Sequence, residues 1–566
     1  MLMDISRSIS KRIWLQAGLL GTLLLILAWL SLSSLIFFTN DTGLRLLQIF
    51  ELIENRWQSF AVSYPARFLD PELAHTPFYY AYLVIRDQIF LSISALFPLI
   101  ASVLYSLLGR VGLIVLPVAG TVASAMGIAY LVRLGRAGLP VLALWVTALG
   151  TPLLFYSLEL WDHSFVTAFA VWAVYLLARG YTDRNLALIF FGGALAAVAW
   201  SQRPEFAFLT AGLGLSLLVF APSRLRASLA FAAGNLLALA PIWLAQMLWF
   251  GHPLGVVYAS QLFDYGVPLQ YAYEPYSDGP ELTRSFVVGR MLTYVQSRDP
   301  VTFGATLLGL AAVVLVVFAL RVPRWRKRAV LLSGLLLSVC SYLLWLIPMT
   351  REAVTGILPT FPLLPLSLAV VDDESGEARS HGVYRFVLLT TVFFLGAMLL
   401  MFPSFGGSQW GSRYFLPAYP LLTFLAFYAY GRYRQTLPER LRTPLRWLFT
   451  GLVVTSIIIQ FAGVRVLFEI HEQQRLVRDG LEALPAELIL TNSPFLPSQM
   501  SSLQDKMFLY VNSEEDFQTI VPAMMRNGIE RMAVVRVQGL PLNVPATVGA
   551  VRLTEVQPLI YELSQE

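Results

Sequence analysis

The chain has 566 residues, 57% of them hydrophobic and only 13% charged. A soluble chain carries roughly 25% charged residues, so too little polar surface remains to keep this one dissolved, and lipid must be the solvent for most of it. The net charge of +5 sits in short loops between apolar runs, where it marks topology rather than a nucleic-acid site.

At the N-terminus Arg7, Lys11 and Arg12 precede an apolar run from about Ile13 to Phe38. That run is longer than the core of a signal peptide and has no small-residue cleavage site, so it reads as an uncleaved first membrane helix. Further apolar runs lie at 111–132, 139–157, 161–179, 186–201, 205–220, 227–249, 300–320, 329–347, 354–371, 384–402, 413–431 and 446–463. The chain thus reads as an all-α polytopic bundle of about 13 transmembrane helices. The lone cysteine, Cys340, lies inside one of these runs, which excludes an intrachain disulfide and a cysteine metal site.

Orientation follows from the Lys/Arg loops, strongest at 321–328 and 431–446. They predict a multi-pass protein of the cytoplasmic membrane with its N-terminus inside and its C-terminus outside. The expected organisation is a tail and first helix (1–38), a first extracytoplasmic loop (39–110), a transmembrane domain (111–464, with an outer loop at 251–299) and a small α/β domain (465–566). In the first loop, AYLVIRDQIFLSIS alternates like two short strands around Arg86-Asp87. The stretch 99–109 reads as a surface or re-entrant helix rather than a span. The tail reads as strands AELIL and MFLYV, helix EEDFQTIVPAMMRNG and strand ERMAVVRV.

Polar chemistry gathers on the predicted outer side. Asp41, in NDTGLRLLQ just after the first helix, reads either as a helix cap or as a general base whose pKa partial desolvation would raise. SLELWDHSF places Glu159, Asp162 and His163 where nearly everything nearby is apolar. Charges at membrane depth cost about 2.5–3.5 kcal/mol each on insertion scales, so they have a partner, a job, or a hydrated turn capped by Asp162. In AWSQRPEF, Arg203 and Glu205 either satisfy each other at a helix break or leave the guanidinium to grip a phosphate.

GGSQWGSRYFLPAYPLL is the most informative stretch. Its glycines allow close approach to a ligand, and Arg413 and Tyr414 lead into a helix N-terminus suited to an anion. The alternative is an aromatic-belt anchor formed by Trp410 and Tyr414. In the 251–299 loop, Tyr271 and Tyr273 stand beside carboxylates, a composition that suits sugar rings but is also common near membranes.

Taken in order, these pieces resemble the GT-C superfamily of membrane glycosyltransferases, in particular its protein mannosyltransferase and aminoarabinose transferase branch. The resemblance rests on the acidic residue after the first helix, HTPFYY (75–80), WDHS, RPE and WGSRYFLPAYPLL. It implies inverting transfer of a sugar from a polyprenyl-phosphate donor to a lipid, polysaccharide or protein acceptor at the outer face of the membrane. Asp41 would be the general base, with Asp162 a further catalytic carboxylate. His75, Arg203, Arg413 and Tyr414 would bind the donor phosphate. Trp161, His163, Glu205, Tyr271, Tyr273 and Trp410 would bind sugar or acceptor. The sequence departs from the family at Asn40 and Thr42, where a second acidic residue is usual, and at Thr76, where a proline is expected. No cofactor is expected, and no metal is favoured with only Asp41, Glu159, Asp162 and His163 as candidate ligands.

The rivals are a flippase or transporter of lipid-linked saccharides, for which the three prolines of ILPTFPLLPL (357–366) argue, and an envelope polysaccharide polymerase.

Overall fold

The computed structural model describes residues 2–32, 35–36, 38–78, 82–257, 284–293, 300–349, 353–371, 378–402, 406, 409–536 and 542–565. They form two compact units. The first comprises Met1–Ser31, Ile114–Ala245 and Asp278–Phe468; the second comprises Leu32–Leu113, Gln246–Ser277 and Glu469–Glu566.

Helices dominate the first unit because its runs of Leu, Val, Ala and Phe satisfy every backbone group internally, the only economical solution in lipid. Among the described residues, eight helices are long and apolar enough to cross a membrane. They are Ser8–Ser31, Arg110–Leu134, His163–Asp183, Arg224–Phe250, Pro300–Arg321, Arg328–Met349, Ala378–Met401 and Glu439–Glu482. Pro140–Leu149, Leu186–Gln202 and Glu205–Phe220 are shorter apolar helices.

Two of the expected spans are broken. The run 139–157 divides at Gly150–Pro152 into helices Pro140–Leu149 and Leu153–Ser157. The run 354–371 holds only the single turns Ile357–Thr360 and Leu364–Ser367, because Pro359, Pro362 and Pro365 remove amide donors and block the preceding turn. The freed carbonyls are met by side chains: Tyr342 donates to Leu358 O at 2.7 Å, and Gln460 donates to Thr360 O at 2.7 Å. The expected 413–431 span starts later, as Ala418–Thr436, behind a 3₁₀ turn at Arg413–Phe415.

Helices Arg110–Leu134 and His163–Asp183 run parallel. Their contacts advance together from Ser164 Oγ on Pro117 O, through Trp172 Nε1 on Ala123 O, to the ring pair Tyr130–Tyr175. One end of the first unit therefore carries Asp162 and His163. The other carries Asp183, which pairs with Arg179 and Arg379, and Gly135, whose carbonyl accepts from Ser380.

The second unit joins the first loop to the tail, which the sequence treats as separate regions. Strands β1 (Ala61–Val62), β2 (Tyr82–Ile85) and β3 (Gln88–Leu91) form an antiparallel sheet in the order β1-β3-β2. Arg86 and Asp87 both have positive φ (52° and 64°), as a two-residue hairpin turn that follows strand twist requires. The apolar helix Leu96–Leu108 follows.

In the tail, β4 (Leu488–Thr491), β5 (Met507–Tyr510), β6 (Arg531–Val535), β7 (Thr547–Val548), β8 (Val551–Gln557) and β9 (Ile560–Gln565) form one sheet in the order β5-β4-β6-β9-β8-β7. Strands β5, β4 and β6 are parallel and the rest antiparallel. β4 is buried on both faces, so it reads as an unbroken apolar run. Leu488 and Leu490 pack into a core with Phe517, Val521 and Met524 of helix Asp516–Arg526 and with Val62, Tyr64, Phe78 and Ile89 of the first loop. Ile489 faces the opposite core with Phe508 and Ala533. Helix Glu439–Glu482 runs unbroken for 44 residues into the tail.

Candidate active site

The Asp162 turn is dry. Asp162, Glu205 and Arg203 have side chains only 1%, 1% and 11% exposed, and Asp162 caps no helix amide. Its Oδ1 instead accepts from Arg203 Nη1 at 3.2 Å, while Arg203 Nε donates to Glu205 Oε1 at 2.6 Å. The hydrated-turn reading of Asp162 therefore gives way to a buried triad of one guanidinium and two carboxylates. The self-satisfaction reading of Arg203–Glu205 holds in part, with Asp162 as a third member.

Helix geometry assembles the triad. Leu186–Gln202 ends at Arg203, where Pro204 forbids continuation and starts the helix Glu205–Phe220. Arg203 is thereby left in extended backbone, reaching across to the start of helix His163–Asp183. Removing one partner of such a buried set typically costs about 3–5 kcal/mol, so the arrangement is held rigidly.

Around the triad stand rings with open polar atoms. Tyr156 stacks on Trp161 at 5.1 Å and lies 5.1 Å from His163, and Trp161 lies 4.8 Å from His163. His163 Nδ1 is 3.2 Å from Asp162 Oδ1 but out of line for a hydrogen bond. The Tyr156 hydroxyl, Trp161 Nε1, His163 Nε2 and Ser412 Oγ are buried and find no hydrogen-bond partner among the described residues. Buried polar atoms are normally satisfied, so such a group of them suits a ligand.

Arg413 completes the set. Its charge, like that of Arg203, reaches both Tyr156 and His163, and the two guanidinium groups repel each other. Arg413 stacks on Tyr414 at 5.0 Å and donates to its hydroxyl at 3.2 Å, and Phe402 packs behind Tyr414 at 4.3 Å. The loop is set by Gly411, whose φ of 68° favours glycine. A Cβ there would sit 2.7 Å from Pro152 and 3.0 Å from the Tyr419 hydroxyl. That hydroxyl accepts from Ser412 N at 3.1 Å.

Trp410 is fully buried, with its Nε1 on Gln460 Oε1 at 3.0 Å; it is a packing residue and not a headgroup anchor. Asp41 belongs to the second unit, half-buried in the first turn of helix Asn40–Glu54, whose N-cap position is Thr39. His75 also lies in the second unit, where both ring nitrogens are engaged. Nε2 is 3.0 Å from Thr519 Oγ1 and Nδ1 is 3.3 Å from Tyr510 O. Asp70 holds that loop, accepting from Ala74 N, His75 N and the Tyr64 hydroxyl. Tyr271 and Tyr273 lie outside the described residues. Among the described residues no three of His, Cys, Asp or Glu are grouped to hold a metal ion.

Fold and cluster together define a polytopic membrane protein with a buried charged site at one end of its helical unit. No family model matches the chain, and no curated protein matches it. Among solved structures it is similar to the Archaeoglobus fulgidus oligosaccharyltransferase in the apo form, at 12% identity and a TM-score of 0.43, over 91% of this chain and 69% of that one. It is also similar to ArnT from Cupriavidus metallidurans bound to undecaprenyl phosphate, at 12% identity and a TM-score of 0.43, over 96% of this chain and 97% of that one. Identity this low assigns no residue a role.

Proposed function

We propose that this chain is a membrane glycosyltransferase that moves a sugar from a polyprenyl-phosphate donor to an acceptor at the outer face of the cytoplasmic membrane. The observation that supports it most is that the Tyr156 hydroxyl and His163 Nε2, beside the Arg203–Asp162–Glu205 triad and within reach of the Arg413 charge, find no hydrogen-bond partner among the described residues. Two guanidinium groups and several fixed dipoles in a dry site suit an anion, and above all one whose charge grows as a bond breaks.

In this reading a general base, the role that the motif order offers to Asp41, takes the proton of the acceptor nucleophile, whose lone pair attacks the anomeric carbon. The bond from that carbon to the phosphate oxygen breaks, and polyprenyl phosphate leaves with the electron pair. Arg413 and Arg203 stabilise the leaving charge, while Asp162 and Glu205 fix the Arg203 fork. Backside attack inverts the anomeric centre.

The test is to incubate the purified protein and its Asp41→Asn variant with a panel of polyprenyl-phosphate sugars and a membrane-lipid acceptor extract, following free polyprenyl phosphate by mass spectrometry. Release by the wild type that falls at least 100-fold in the variant supports the reading. Equal release by both removes Asp41 as the base, and no release by either removes the transferase.

A further inference from the structure

The basic loops of the first unit do more than mark topology. Arg136, Arg434 and Arg442 converge on a hollow of about 540 Å³ that also takes in Gly138, Leu139 and Gly431, and no acidic residue lines it among the described residues. Arg136 follows helix Arg110–Leu134. Arg434 lies in the last turn of helix Ala418–Thr436, and Arg442 in the first turns of helix Glu439–Glu482. The two loops are locked together at Gly431, where a Cβ would stand 2.3 Å from Ala137 O.

Gly138 and Leu139 turn the chain through left-handed backbone, at φ 81° and 56°, into helix Pro140–Leu149, whose N-terminus has no side-chain cap. A topology signal needs only basic residues anywhere in a loop. It does not need three of them around one hollow beside an uncapped helix start, an arrangement whose positive charge suits an anion. The hollow is in the size range of ligand pockets, about 300–1,000 Å³, and guanidinium forks match phosphate oxygens.

The hollow is separate from the proposed donor site. It lies beyond the Asp183 end of helix His163–Asp183, whose 21 residues rise about 30 Å at roughly 1.5 Å each, whereas Asp162 lies at the other end. We propose that this hollow binds a phosphate-bearing ligand, either the headgroup of an anionic phospholipid or a soluble phosphate compound. The proposal stands apart from the transferase reading.

To test it, delipidated protein in detergent is titrated with short-chain phosphatidic acid and, separately, with inorganic pyrophosphate, and bound ligand is counted by native mass spectrometry. The expected result is saturable binding of at least one probe, weakened at least tenfold in Arg434→Gln/Arg442→Gln and less in Arg434→Lys/Arg442→Lys. Binding of the lipid alone identifies a headgroup as the source; binding of pyrophosphate identifies a soluble phosphate. If the double Gln variant does not purify, Arg434→Gln alone, at an exposed position, decides the matter by the same loss. Unchanged affinity in the Gln variant, or no binding of either probe by the wild type, overturns the proposal.

Discussion

Arg203 and Asp162, 41 residues apart in sequence, meet at 3.2 Å in the dry interior of the helical unit, and Glu205 closes on the same guanidinium from its other edge at 2.6 Å. The pairing makes each partner a structural hostage of the others. Arg203→Met leaves two buried carboxylates without a counter-charge, and about 3–5 kcal/mol of destabilisation is expected. Thermal unfolding followed by size-exclusion chromatography measures it. The triple variant Arg203→Met/Asp162→Asn/Glu205→Gln should recover most of the stability while remaining without activity.

Tyr156→Phe should separate stability from function. Its hydroxyl is buried without a partner among the described residues, and removing such a group is neutral or stabilising. The melting temperature should hold or rise while donor turnover falls at least tenfold. A fall in both would make Tyr156 a packing residue.

Much of this was legible in the sequence, for identifiable reasons. Asp162, His163, Arg203 and Glu205 stand out because charge in an apolar chain is costly, and that logic holds without coordinates. Their pairing is not legible, since it depends on which helix starts lie side by side. Tyr156 looks like any aromatic residue in an apolar run. The β2–β3 hairpin was readable from its alternation around Arg86-Asp87. The β8–β9 hairpin was missed, although VRLTEVQ and IYELSQ alternate around Pro558 and Leu559, and Leu559 has a φ of 69°. Hydropathy alone counted 354–371 as a span although its prolines forbid one. The shared core of the first loop and the tail joins segments some 400 residues apart, for which a local pattern carries no signal.

Gly43 is a second point of rigidity. A Cβ there would fall 1.7 Å from the Ser498 carbonyl oxygen, and a backbone atom cannot swing away. Gly43→Ala should cost about 1–3 kcal/mol by overpacking, seen as earlier unfolding of the second unit in limited proteolysis. Gly480→Ala, with open space around it in a helix, serves as the uncrowded control and should be neutral to slightly stabilising.

Trp410→Ala should cost about 3–5 kcal/mol, as expected for emptying a fully buried aromatic site, because Gly463 packs directly on the ring. Trp410→Phe should cost less, losing chiefly the bond to Gln460. Differential scanning fluorimetry of the two variants gives the comparison.

Glu51 predicts a pH effect in the second unit. Burial raises its pKa, opposed by the Ser63 hydroxyl and amide and reinforced by the charge of Glu54. A folded-state pKa above the unfolded one means that its contribution to stability is complete below the unfolded value and is lost as pH rises through the folded one. Relative to wild type, Glu51→Gln should therefore gain stability as pH is raised from about 4 to about 8, as denaturation curves across that range would show. A constant difference would mean that Glu51 titrates as it does in the unfolded chain.

The central claim is that Arg413 and Arg203 hold the phosphate of a polyprenyl donor, and the most direct measurement is equilibrium binding of polyprenyl phosphate to wild type and Arg413→Gln in nanodiscs. Saturable binding by the wild type is expected, at least tenfold weaker in the variant, with the melting temperature unchanged within about 2 °C. Equal affinity in the two proteins would contradict it.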